Sequence, residues 1–189
     1  MTQPAQRTTM SYADYLAVER SSETKHEFLR GELFAMAGGT PEHSRLAANV
    51  IGDLRHAVRQ RPCAVFTSDL RVRIVATDRA TYPDVSVVCG RVEPAPDDED
   101  AVTNPVLLVE ILSDATEAQD RGEKFAHYRR IPSLREYLLV SQREPRLEVF
   151  RRQPGGQWSL WEAGPVERLA LESIGAEIAV DEIYGGRLG

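Results

Sequence analysis

From Thr40 onward Leu46, Val50, Leu54 and Val58 recur every four residues among charged and small ones. That spacing lays one apolar stripe along a helix over "TPEHSRLAANVIGDLRHAVRQR", with Thr40 as its cap and Pro41 in its first turn. A shorter helix is expected from Thr9 to Arg20, opened by Ser11. "KHEFLRGELFAMAGG" reads as two short strands turning at Arg30 and Gly31. "CAVFTSDLRVRIV" alternates as strand, turn and strand, and "TYPDVSVVCG" is a further strand. "RVEPAPDDED", rich in proline and acid, is expected to be a surface connection. A helix is expected from Thr116 to Ile131, with Phe125 and Tyr128 inward and Pro132 as its stop. "LREYLLVS", "PRLEVFRR" and "GQWSLWEAG" supply three more strands. The pattern predicts an α/β protein of the α+β kind, a mixed sheet with helices against it. One domain is expected over residues 1–189, with residues 1–10 as a flexible lead.

One stretch breaks the pattern. From Val106 to Leu112 the chain is apolar except at Glu110. Such a run reads as a strand buried on both faces, where a carboxylate is costly unless something binds it. Asp84, in "YPDVSVV", lies at the start of another strand; read alone, it is an acid facing solvent. Adjacent strands lie about 4.8 Å apart, close enough for two carboxylates to converge on one cation. Mg²⁺ favours such a pair together with waters and a phosphate.

Composition narrows the field without choosing a function. At 189 residues, 42% apolar and 28% charged, the chain has the makings of a soluble globule with a real core. No apolar stretch approaches the ~18 residues of a membrane span, and the N-terminus lacks a signal-peptide core. Cys63 and Cys89 fit no metal-ligand spacing and are expected to be buried free thiols in a reducing cytoplasm. A net charge of −6 argues against non-specific coating of nucleic acid.

Several side chains extend the candidate site. Lys124 and Asp120 are four apart on one helix face; they read either as an exposed ion pair or as a cation for phosphate chemistry. Glu32 is a third-acid candidate, set in an apolar strand. His43 opens the long helix, where a histidine is more often a surface or capping group than a ligand. Arg55, Arg59 and Arg61, with Arg71 and Arg73 at alternate strand positions, form either a phosphate-tracking stripe or a solvated face. The chain has no Gly-rich phosphate loop, nucleophile elbow or zinc cluster.

Taken in order, "HEFLRGELFAMAGGTPEHSRLAANVIGDL", "YPDVSVV", "NPVLLVEILSDAT" and "DRGEKFAHYRRIPSLREYLLV" closely resemble the Uma-two family of restriction-endonuclease-like proteins, within the PD-(D/E)XK nuclease superfamily. The resemblance runs from about Ser11 to Tyr184. It implies a restriction-endonuclease-like core, a central mixed β-sheet flanked by helices. It also implies Mg²⁺ (or Mn²⁺) held by Asp84, Glu110 and the main-chain carbonyl of Ile111. The superfamily's lysine two residues after the second acid is here Leu112, which moves that role to Lys124 with Asp120 beside it. Glu32 and His43 also match family positions. The implied activity is metal-dependent hydrolysis of DNA phosphodiester bonds in the cytoplasm. A homodimer is expected, since one chain offers one site for two strands, and no membrane partner is. The alternative is a catalytically weak member acting as a DNA-binding or protein-interaction module. A hydrolase of smaller phosphodiesters is disfavoured, because no compact pocket motif is visible.

Overall fold

The computed structural model of the protein describes residues 9–185. The flexible lead expected at residues 1–10 therefore lies outside the described residues, apart from Thr9 and Met10. Helix α1 (Tyr12–Ser21) opens with a capping box in which Ser11 and Asp14 bond each other's backbone N–H groups. Strands β1 (His26–Leu29) and β2 (Glu32–Ala35) form the expected hairpin. Its turn needs the left-handed region at both central residues, with φ of 49° at Arg30 and 91° at Gly31. A Cβ at Gly31 would also lie 2.5 Å from the Cβ of Thr9, so glycine is required there on two counts.

Helix α2 (Pro41–Val58) has Thr40 as its cap and buries Leu46, Val50, Leu54 and Val58, as their spacing predicts. Each such side chain contributes about 1.5–3 kcal/mol on burial. Strands β3 (Cys63–Thr67), β4 (Arg71–Ile74), β5 (Arg79–Thr81), β6 (Val85–Cys89), β7 (Pro94–Ala95), β8 (Asp98–Val102) and β9 (Leu107–Ile111) follow. A broken helical crossover comes next: α3 (Glu117–Gln119), a π-helical turn (Asp120–Lys124) and α4 (Phe125–Tyr128). Strands β10 (Glu136–Val140), β11 (Leu147–Arg152), β12 (Trp158–Ala163), β13 (Arg168–Leu171) and β14 (Ala176–Ala179) lead to helix α5 (Val180–Tyr184).

Two mixed six-stranded sheets result, ordered β2-β1-β5-β4-β8-β7 and β12-β11-β10-β9-β6-β3, with β13-β14 as a separate hairpin. In the second sheet β9 and β10 are parallel, which is why the helical crossover lies between them. One face of that sheet carries Val85, Val87, Leu107, Val109 and Ile111 against α2, β13, β14 and α5. Its other face carries Leu108, Tyr137 and Leu139 against Val72, Ile74 and Val102 of the first sheet and against Tyr128. Helix α1 covers the far side of the first sheet through Tyr15, Leu16, Phe28 and Ala80. The mixed α+β class is as expected; the second sheet stands where a flanking helix layer was expected.

Four local expectations need correction. Cys63 and Cys89 are not free thiols: they face each other in the antiparallel β3–β6 pair and form a disulfide. Their sequence spacing carries no hint of that register, and the thiol argument for a reducing compartment falls with it. The acid-rich connection is not a loop but the β7–β8 hairpin, and Asp98 is buried beneath α1. It takes a bidentate pair from Arg71 at 2.6 and 2.9 Å and the Tyr12 hydroxyl at 2.8 Å. Arg73 pairs with Asp78 and Asp97 and lies 3.7 Å from the Tyr12 ring centroid. Arg71 and Arg73 are therefore buried fasteners between α1 and the acidic hairpin, not part of a phosphate-tracking stripe. The last correction concerns the helix after β9, which ends at Tyr128 rather than Ile131 and is interrupted by the π turn.

Candidate active site

Alternation along β9 decides where Glu110 points. Leu107, Val109 and Ile111 face α2, so Glu110 shares the face of Leu108 and looks into the space between the sheets. Its side chain is only 5% exposed. Oε1 accepts the Tyr128 hydroxyl at 2.7 Å and lies 3.3 Å from the ammonium of Lys124. Burial raises the carboxyl pKa to about 8; Lys124 opposes the shift, while Asp84 and Asp120 add to it.

The π turn delivers Lys124 to this acid, and Asp120 with it. Turns of this kind occur often at functional sites. Lys124 Nζ lies 3.1 Å from Asp120 Oδ1 and 3.6 Å from Glu27 Oε1. The pair is therefore buried, not the exposed one that its spacing also allowed. Burial alone would lower the lysine's pKa; the carboxylates of Glu110, Glu27 and Asp120 outweigh it and hold Lys124 charged. Glu27 reaches the cluster from β1 because alternation sends Phe28 toward α1 and its neighbour inward. Arg79 donates to Glu27 at 2.8 Å, and the Thr81 hydroxyl bonds its other oxygen. Burial pushes Glu27 up, but Lys124 and Arg79 prevail and hold it below the usual carboxylate range.

Asp84 closes the other side. It stands one residue before the registered pair Val85 and Val109, on the strand next to Glu110. Its Oδ2 accepts the Ile111 N–H at 2.7 Å and lies 3.2 Å from His43 Nε2. The bond to Asp84 raises the His43 pKa against the opposing effect of burial. His43 comes from the first turn of α2, and Gly39 lets its ring pass: a Cβ there would sit 2.8 Å from Nδ1.

Asp84, Glu110, Lys124, Asp120 and His43 thus meet in one place. Glu32 is exposed on edge strand β2, and Glu27 from β1 stands beside Lys124 in the cluster. Arg55 and Arg59 are exposed toward the far end of α2, sixteen residues from His43 at Arg59, or about 24 Å along the axis. Sequence reasoning missed Glu27, Tyr128, Arg79 and Thr81 as site residues. Strand alternation around Phe28 was the one usable signal for Glu27.

The residues suit a hard divalent cation in donor type and charge. Four carboxylates, Glu27, Asp84, Glu110 and Asp120, share two permanent cations, and one of these, Arg79, is also drawn to Glu123 at 3.1 Å. Asp120 Oδ1 is buried without a hydrogen bond. Among the described residues no three His, Cys, Asp or Glu side chains are already gathered as a ligand group; Lys124 stands between the acids instead.

Comparison with known proteins supplies a family and a fold. The model of the Uma2 family, described as "Putative restriction endonuclease", matches residues 12–181. Two uncharacterized proteins of Synechocystis sp. are similar over most of their length. Protein slr1290 is 37% identical over 180 residues, covering 94% of this chain and 92% of its own. Protein sll1609 is 36% identical over 153 residues, covering 81% and 86%. The crystal structure of a "putative nuclease belonging to DUF820" from Anabaena variabilis superposes with a TM-score of 0.69. It is 19% identical and covers 86% of this chain and 91% of its own, a likeness of fold.

Proposed function

The chain belongs to the Uma2 family, and from that premise we propose that it is an endonuclease of PD-(D/E)XK type that hydrolyses DNA phosphodiester bonds with Mg²⁺ or Mn²⁺. The observation that carries this reading is Glu110, an acid inside a buried strand with Asp84 beside it and too little positive charge around it. In this reading Asp84, Glu110 and the main-chain carbonyl of Ile111 hold the cation. Bound there, a divalent metal polarises the phosphate and makes water a better nucleophile.

The chain's own groups supply the rest. Lys124 sets a fixed positive charge beside the reacting phosphate, where charge builds in the transition state. Asp120 orients that lysine, and Tyr128 orients Glu110 through its 2.7 Å bond. His43, whose Nε2 rests on Asp84, contacts phosphate or carries a proton. Glu27 serves as the further acid of the site, beside Lys124. Arg55 and Arg59 lie about 120° and 160° around α2 from His43, so they do not continue its face, and this reading gives them no part in the site. Among the described residues one such cluster occurs, so cutting both strands calls for a homodimer. The cytoplasm is the setting this reading implies, and no helix among the described residues is long and apolar enough to cross a membrane.

The test is cleavage of supercoiled, linear and single-stranded DNA by purified protein with Mg²⁺, Mn²⁺ or EDTA, beside Glu110→Gln. Metal-stimulated cleavage lost in the variant is the expected result. DNA binding with no cleavage under any metal would overturn it in favour of a binding module.

A further inference from the structure

Three carboxylates share the ammonium of Lys124, and none takes it at the short length of a single full ion pair. Asp120 is at 3.1 Å, Glu110 at 3.3 Å and Glu27 at 3.6 Å. A buried lysine with one free acid would close to about 2.7–2.9 Å, the usual length of a charge-assisted bond. Something holds this ammonium back, and the first sheet supplies the means. Glu27 is fixed on one oxygen by Arg79 and on the other, the one facing Lys124, by the Thr81 hydroxyl. Arg79 also reaches Glu123, one residue before Lys124, so the same sheet grips the lysine's own turn. Arg79 and Thr81 are side chains of β5 and Glu27 of β1, neighbours in register through the pair Phe28 and Ala80.

We propose that Glu27 is a positioning residue that draws Lys124 off Glu110, so that the Glu110 carboxyl is left without a full ion pair and stays open to a divalent cation. The inference rests on the metal reading of Glu110 and goes beyond it by naming what keeps that ligand available. A cation arriving at Glu110 must displace the ammonium, and the displaced charge needs an anion to move toward. Glu27 and Asp120 offer that anion. Without Glu27, Lys124 settles on Glu110 as a full ion pair and competes with the metal.

The test is Mn²⁺ binding to the full-length protein, followed by the electron paramagnetic resonance of free Mn²⁺ at one fixed pH. Glu27→Gln should weaken Mn²⁺ at least tenfold, the usual scale for losing an outer-shell partner of a metal ligand. Thr81→Val, which removes only the hydroxyl that aims the oxygen, should weaken it less but in the same direction. This milder variant keeps the test open if Glu27→Gln, with Arg79 left unpaired, folds poorly. Raising Mn²⁺ should restore much of the lost cleavage rate with KM for DNA unchanged. A merely structural Glu27 predicts a lower melting temperature with wild-type Mn²⁺ affinity, and that result in either variant overturns the inference alone. A wild-type protein that binds no Mn²⁺ overturns the metal reading and this inference together.

Discussion

The ammonium of Lys124 lies 3.3 Å from Glu110 Oε1, although the two residues come from a strand and from the turn of the crossover behind it. Two residues after Glu110, where the proposed PD-(D/E)XK reading would look for a lysine, stands Leu112, packed in the apolar layer between the sheets. A lysine at 112 would need its own counterion in that layer. Arriving from the π turn instead, Lys124 brings Asp120 with it at 3.1 Å and meets Glu27 from the opposite sheet. Its charge is thus compensated before any substrate arrives.

Glu110→Gln should abolish metal-dependent cleavage and leave the metal-free protein at least as stable at neutral pH. The folded carboxyl titrates at about 8 against an ordinary value of 4.5. Between those values the native state binds a proton that the unfolded chain has lost, so wild-type stability falls as pH rises and levels off above about 8. Glutamine has no such slope. In EDTA, the melting temperature of Glu110→Gln minus that of wild type should grow from pH 5 to pH 8. A large stability loss in the variant would make Glu110 a structural partner of Lys124.

Asp84→Asn should also remove cleavage, and here too folding is spared. The amide oxygen of asparagine takes over the Ile111 N–H bond, which spans 2.7 Å in the wild type. What is lost is the anion. Differential scanning calorimetry beside a cleavage assay separates the two effects, and retained cleavage would take Asp84 out of the metal site.

Mg²⁺ or Mn²⁺ should raise the melting temperature, and by more at pH 8.5 than at pH 6. Metal binding needs an ionised Glu110, so at lower pH the cation must first displace a proton. At a hundredfold excess over the dissociation constant the stabilisation is about 2.7 kcal/mol. Equal shifts in wild type and Glu110→Gln would place the metal elsewhere.

Reduction of the Cys63–Cys89 disulfide should lower stability by about 3.5 kcal/mol, the loop-closure scale for a loop of this length. For a chain of this size that is a fall of roughly 7–14 °C in melting temperature. Melting with and without reductant, with Cys63→Ala as a control insensitive to reductant, measures it. Asp84 directly precedes β6, whose far end carries Cys89, so cleavage by the reduced protein shows how far the site depends on that edge.

Much of the site was legible because its residues break local rules. Glu110 interrupts an apolar strand, Asp84 follows a proline at a strand start, and Asp120 and Lys124 share a face. Those are signals within a few residues of sequence. Glu27 and Thr81 break no rule: a polar residue in a half-buried strand is ordinary until a second sheet covers its face. The same blindness misjudged Arg71 and Arg73, because the acids that bury them arrive from the β7–β8 hairpin. Cys63 and Cys89 were misjudged for the related reason that register between strands is a long-range property. What sequence periodicity reports is which face is apolar, not what lies opposite it.

Lys124→Ala separates a relocated catalytic lysine from a purely structural one, and the burial of this side chain changes what each version predicts. An exposed i,i+4 pair with Asp120 would cost a few tenths of a kcal/mol on deletion. Here the lysine faces three buried carboxylates, and removing one partner of a buried pair typically costs about 3–5 kcal/mol because the remaining charge is left uncompensated. The alanine variant should therefore be clearly less stable in EDTA, and part of that loss should return with Mg²⁺, which replaces the missing positive charge. Cleavage tells the two roles apart. A lysine that acts on the reacting phosphate predicts a loss of about 100-fold or more in single-turnover rate at saturating DNA and metal. DNA affinity should change much less, since one phosphate-facing charge among several contributes modestly. Lys124→Arg should rescue stability better than rate, because a planar guanidinium keeps the charge but cannot place it at the same point. Wild-type rates from metal-saturated, folded Lys124→Ala would make Lys124 a counterion for Glu110 and nothing more.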